Sequence, residues 1–372
     1  MEARPLAAVM IVGLLVLPSC SHQSGPSDQD RYRRYSRFTD PGNLSPMLTE
    51  LPDDVGEIAE VASGLTVHHN LLPYHGVPRS TWPRMKRIWP PKMPDLLTAL
   101  RDTGPGDLYA DRPIEQRVVG GCMLESHLLT GMLRYRGIPV RARAGYFKNV
   151  QAHAEHVVDF WEKTLKERGI NADLLKTDPQ RWREEINAFT RNQVEIDKHI
   201  EHWVTEYWNE KTRSWSVLDA NTTFLRASSA LEVGIHLPRE YFEYAFEAWQ
   251  RMRGSENFNP DQYAEWPQDG RSHIRSQLLW DFYSLLNHDI AGFDQQAWPD
   301  DDTMSAEREA YVFIKERAFS ELSAEELDEL DRLALLLARE PTIDELVAFY
   351  GDSKTLRLVT AEKDPYSLVF DG

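Results

Sequence analysis

Hydrophobic and polar positions along the 372-residue chain alternate with several distinct periods. The clearest helical stretch is 122–136, where Leu124, Leu128, Met132 and Tyr135 recur at 3.6-residue spacing and Leu129 and Leu133 widen the stripe. Gly137 suits the left-handed position after a helix end, and Pro139 prevents continuation. Val140 to Phe147 then reads as a strand. A charged, helix-prone segment follows from about 152 to 198, including FWEKTLKER and QRWREEINAF. Two more strands are expected near 202–208 and 213–219. Residues 46–120 mix helical stretches with proline-rich connections such as Trp89-Pro90-Pro91. The C-terminal third, 251–372, is expected to be helical. Ser323 with Glu326, and Thr342 with Glu345, have the spacing of capping boxes, and Leu322 with Leu327 can staple the first of them. Helices and short antiparallel strands in this order give an α+β fold class.

The N-terminus has a different character. Arg4 precedes an apolar run from Leu6 to Leu17, broken only by Gly13. That length suits a secretory signal and is too short to span a bilayer. The run ends in Leu17-Pro18-Ser19-Cys20, which resembles the bacterial lipobox. The resemblance implies removal of residues 1–19 and a lipid on Cys20, followed by a serine and not an aspartate. The expected location is the cell envelope, on the outer membrane facing the periplasm. Residues 20–45, polar and rich in Ser, Asp, Arg and Gly, are expected to be a flexible tether. A standard signal peptide or an uncleaved anchor are the alternatives.

Composition narrows the function. The formal charge of −17 opposes phosphate backbones and argues against nucleic acid as a partner. There are only two cysteines. With lipid on Cys20, Cys122 has no partner within the chain, and an unpaired thiol in an oxidising compartment needs a reason to exist. Cys122 opens the predicted helix, where the helix dipole favours thiolate. Gly120 and Gly121 before it would let a substrate backbone approach and leave amides to hold an oxyanion.

The two strands after the insert supply the rest of a constellation. Pairing Trp208 with Arg213 across the turn Asn209–Thr212 sets Val204 opposite Val217 and His202 opposite Asp219. Opposed side chains have Cβ atoms about 5 Å apart, close enough for an imidazole–carboxylate bond. A histidine oriented by a carboxylate is what thiol activation requires. His127 is expected to be packed, and His199 to lie outside the strand pairing. His153 and His156 do not have the spacing of a zinc protease motif.

Gly121-Cys122 followed by LESHLLTGMLRYRGIPVRARAGYF, and then HWVTEYWNEKTRSWSVLDAN, resemble the transglutaminase-like core over about 115–225. The resemblance implies a papain-like fold with a cysteine-led helix on an antiparallel sheet, within a catalytic domain of 46–250. It implies Cys122 as nucleophile, His202 as general base and acid, and Asp219 as the orienting acid, with no metal or organic cofactor. Met123-Leu124-Glu125 stand where the family usually has charged residues. The insert of 152–198 is expected to act as a lid or specificity element, or to be a solvated decoration. Cysteine-dependent hydrolysis or transamidation of a peptide or envelope component follows. The alternatives are a peptide-binding scaffold that keeps the fold, and a zinc site on Cys122, His202 and Asp219.

Overall fold

The computed structural model describes residues 27–148 except 73, 74, 79, 89, 90 and 106, together with 199–222, 234–264, 268–290 and 311–356. The candidate lipid cysteine, the insert of 152–198 with His153 and His156, and the last residues lie outside them.

The described helices and strands, in chain order, are α1 (Asp28–Tyr32), α2 (Val55–Leu65), β1 (Thr66–His68), α3 (Met93–Thr103), β2 (Val118–Gly120), α4 (Cys122–Tyr135), β3 (Val140–Lys148), β4 (His199–Asn209), β5 (Ser214–Leu218), β6 (Phe242–Tyr244), α5 (Ala245–Gly254), α6 (Gly270–Leu285), α7 (Ala324–Leu337) and α8 (Ile343–Asp352). Short 3-10 turns connect several of them. A four-stranded antiparallel sheet has the order β5-β4-β3-β6, and β1 and β2 form a separate parallel pair. The α+β expectation holds at this level.

Local sequence explains the elements that matter most. α4 ends in a Schellman motif: Ile138 N–H donates to Leu133 O and Gly137 N–H to Arg134 O. Gly137 has φ +71°, so the chain reverses at the residue best suited to it. It then runs into β3, whose even-numbered apolar residues Val140, Ala142, Ala144 and Tyr146 lie in the core. Arg141 and Arg143 take the other face. Their charge is met there by Glu206, at 2.7 Å from Arg141 Nε and 2.9 Å from Arg143 Nη1, and by a bidentate bond from Arg143 to Asp281 at 2.8 Å. Both capping boxes form, at Ser323 and at Thr342.

Two domain boundaries change. Residues 27–45 are packed and not a tether. Tyr32 is 2% and Phe38 0% exposed. Tyr32 Oη donates to Leu285 O, Arg31 pairs with Asp344, and Phe38 bonds Asp289 and Met93. Composition misled because Tyr32 and Phe38 insert into the body, and Ser36 and Thr39, buried with them, satisfy each other by hydrogen bonds. Nor do the C-terminal helices form a region of their own. Residues from α5, α6, α7 and α8 share one apolar cluster with Met123, Ala142, Ala144 and Trp203. The free N–H of Ala144, beyond the three residue pairs with β6, donates to Asp281 of α6 at 3.1 Å.

The hairpin register also differs. Thr205 pairs with Leu218, Glu206 with Val217 and Trp208 with Trp215, so Asp219 lies opposite Val204 and not His202. Arg213 takes a left-handed conformation at φ +53°, its N–H donates to Asn209 O at 2.7 Å, and the Asn209 side chain accepts from Lys211 N. The four-residue loop has slid one residue along the chain. That moves the pairing by two positions and returns every side chain to its expected face.

Candidate active site

β4 supplies the frame. Trp208 N–H donates to Pro139 O, so the even-numbered amides of β4 face β3 and the odd-numbered amides face β5. β5 ends at Leu218, opposite Thr205. Beyond that point the Trp203 N–H emerges at an edge that no described strand covers. Cys122 packs against the cluster that holds Trp203, and the Trp203 backbone N–H acts on its sulfur to lower the thiol pKa. One helical turn on, α4 is stitched to the same strand. Ser126 Oγ donates to Val204 O at 2.9 Å, and Thr205 Oγ1 donates to Ser126 O at 3.2 Å.

His202 is the residue next to that amide. Its Nε2 is 2.8 Å from Asp219 Oδ2, and both residues are almost fully buried. The two-residue shift in register leaves the pair diagonal across the hairpin, still within side-chain reach. Asp219 Oδ1 is fixed in turn by the Asn221 N–H at 2.7 Å. The carboxylate accepts at Nε2, so the proton sits there and Nδ1 is the basic nitrogen of the ring.

Gly145 of β3 lies opposite His202. A Cβ at Gly145 would stand 2.3 Å from Glu243 O and 2.8 Å from the Phe242 ring. Glycine is therefore what lets β6 close on this end of the sheet.

The electrostatics run against a resting thiolate. Burial pushes the Cys122 thiol well up. Glu201, Glu125 and Asp219 push it further, and the Trp203 amide opposes them. The helix-dipole expectation thus gives way to desolvation and nearby carboxylates. Glu125, 4% exposed, is itself raised well above the usual carboxylate range by burial and by Asp219, with Thr66 and Arg117 opposing. Its Oε2 has no hydrogen-bond partner. Burial alone would raise Glu201 too, but the bond and charge of His273 hold it at about 2.

Sequence reasoning missed His68. The parallel pairing of β1 with β2 sets His68 beside Gly120, and His68 is 5% exposed. Nothing in a three-residue strand of Thr, Val and His marks it, because the cue is a pairing between segments fifty residues apart. His69 stacks on it with ring centroids 4.5 Å apart, and its Nδ1 is 3.0 Å from Gly120 O. The two glycines now have separate roles. A Cβ at Gly120 would meet Leu124 at 2.9 Å, so Gly120 serves packing, whereas the space at Gly121 is bounded by imidazole atoms 3.8 Å away.

Other histidines are accounted for. His127 is packed, with Nδ1 2.7 Å from Met123 O and Nε2 3.2 Å from Asp289 Oδ1. His199, expected outside the pairing, opens β4 opposite Lys148, meets Glu243 at 2.9 Å and stacks on Tyr263. Its strand extends three residues earlier than the hydrophobic pattern suggested. Among the described residues no group of His, Cys, Asp and Glu is placed to hold a metal ion. A cavity of about 810 Å³ lies further along the sheet, around Arg143, Glu206, Trp215 and Tyr244, and its lining includes none of Cys122, His202 and Asp219. No family model, curated protein or solved structure matches the chain.

Proposed function

We propose that the protein is a cysteine acyl-transfer enzyme built on a papain-like, transglutaminase-like core. One observation carries this: Cys122 meets β4 at the amide of Trp203, immediately beside a buried His202–Asp219 pair. The thiol is neutral at rest, so proton removal accompanies attack. His202 Nδ1 takes the thiol proton as sulfur bonds to an amide carbonyl carbon, and the carbonyl π electrons move to oxygen. Collapse breaks the C–N bond, and the amine leaves with the proton returned by His202. Water or a second amine then cleaves the thioester. Asp219 holds the ring in the productive tautomer throughout. Lipid on Cys20 and a position on the outer membrane facing the periplasm complete the proposal, with a peptide or envelope component as substrate.

The test incubates the protein with envelope peptides and a primary amine and compares wild type with Cys122→Ala by mass spectrometry. Hydrolysed or amine-linked peptides formed by the wild type alone support the assignment; identical product lists across a broad library reject it. The raised thiol pKa favours the competing scaffold role. A thiol-reactive electrophile separates the two, since only an enzyme requires His202 for labelling at Cys122.

A further inference from the structure

Acyl transfer at Cys122 needs a group to receive the charge that develops on the carbonyl oxygen. The start of α4 offers part of it. Gly121 makes no side-chain cap, so no side chain of that residue covers the first amides of the helix. One backbone N–H alone is a weak receptor, and the parallel pair β1–β2 brings a second group to the same place. His68 stands beside Gly120 in the register, and its Nε2 lies 3.8 Å from where a Cβ of Gly121 would be.

The tautomer of His68 is set by its own backbone. The Asn70 N–H donates to His68 Nδ1 at 3.2 Å, so the ring proton is on Nε2, the nitrogen turned toward Gly121. His69 stacks over the ring and is tied to Gly120 O, which fixes the pair against the glycine turn. Burial, then the neighbouring His69 and His202, hold His68 well below the usual histidine range, so the ring is a neutral donor at neutral pH. A neutral imidazole donating to a developing oxyanion stabilises it without competing for the thiol proton.

We propose that His68 is a catalytic residue whose Nε2–H, with the backbone N–H of Cys122, forms the oxyanion hole. This rests on the acyl-transfer assignment and adds the side chain that the triad lacks. A side chain at Gly121 would begin 3.8 Å from His68 Nε2.

The experiment uses the full chain and two probes that differ in one respect, with modification located at Cys122 by peptide mapping. Iodoacetamide alkylates the sulfur by displacement and makes no oxyanion. p-Nitrophenyl acetate acylates it through a tetrahedral oxyanion. His68→Phe keeps ring volume and stacking but has no donor, and should acylate roughly 10²–10³-fold more slowly, the loss expected for one oxyanion donor. Its alkylation should stay within about twofold of wild type, because thiol activation is untouched. His68→Gln, which restores an N–H donor, should recover part of the acylation rate and carries the comparison if the Phe variant does not fold. Acylation at the wild-type rate in both variants overturns the role of His68, as does an equal fall in both reactions. Wild type that neither alkylates nor acylates at Cys122 faster than the rest of the chain overturns the acyl-transfer assignment itself.

Discussion

At the scale of single residues, the site depends on where two protons reside. Asp219 keeps one on His202 Nε2. Asp219→Asn preserves the shape but offers an amide that can donate, which favours the wrong tautomer; turnover should fall roughly 10⁴-fold, as it does when a triad carboxylate is so replaced. The measurement is kcat on any peptide the wild type processes, with circular dichroism to show that the fold persists. The other proton stays on Cys122. Because burial and the carboxylates of Glu201 and Glu125 raise the thiol, less thiolate exists at any given pH than for a free cysteine. Iodoacetamide alkylation of Cys122 should therefore climb through and beyond the ordinary thiol range. A rate already level by pH 6 would mean a resting thiolate–imidazolium pair. Cys122, His202 and Asp219 were legible because helix start, strand parity and turn length are local signals. The raised thiol was not, because burial and Glu201 act on the sulfur only once β4 and α4 are packed together.

At the scale of elements, a wrong register gave a right pair. The hydrophobic pattern of the hairpin defines which face each residue takes, and a shift by two leaves the faces unchanged. What the pattern does not carry is the backbone conformation of the loop. Arg213 in the left-handed region is unfavourable for a residue with a Cβ, and no sequence rule selects it over a neighbour. β6 was missed for a related reason, since three residues are too few to show a period. The place where it crosses β3 is the more demanding element. Gly145→Ala would drive a methyl into Glu243 O and the Phe242 ring. Backbone cannot swing aside as a side chain can, so β6 must shift. The expected outcome is a loss of about 1–3 kcal/mol, the range for overpacking a filled core, read by urea denaturation. Activity should fall in parallel, since Gly145 faces His202 across the strands. Wild-type stability in this variant would show that β6 packs elsewhere.

At the scale of the whole molecule, the chain closes on itself. The segment from Asp28 to Phe38 reaches α8 through Asp344, the end of α6 through Leu285 and Asp289, and the start of α3 through Met93. Sequence divided the protein into tether, catalytic body and helical tail because composition changes at those points. The burial of Tyr32 and Phe38 and the shared cluster of α5 to α8 with β3 and β4 join them. Two aromatics in a polar stretch are a faint signal, since the surfaces that receive them are hundreds of residues away. Phe38→Ala should cost about 3–5 kcal/mol, as for other fully buried phenylalanines, and a single unfolding transition should persist. Separate transitions for the N-terminal and C-terminal parts would show that the segment is a strap and not part of one core.

The packed N-terminal segment would also act as a tape measure. A lipid on Cys20 would lie no more than about seven residues, roughly 25 Å of fully extended chain, from Ser27, which caps α1. A body so anchored would work on what is presented at the bilayer surface. Targets deeper in the periplasm would have to come to it.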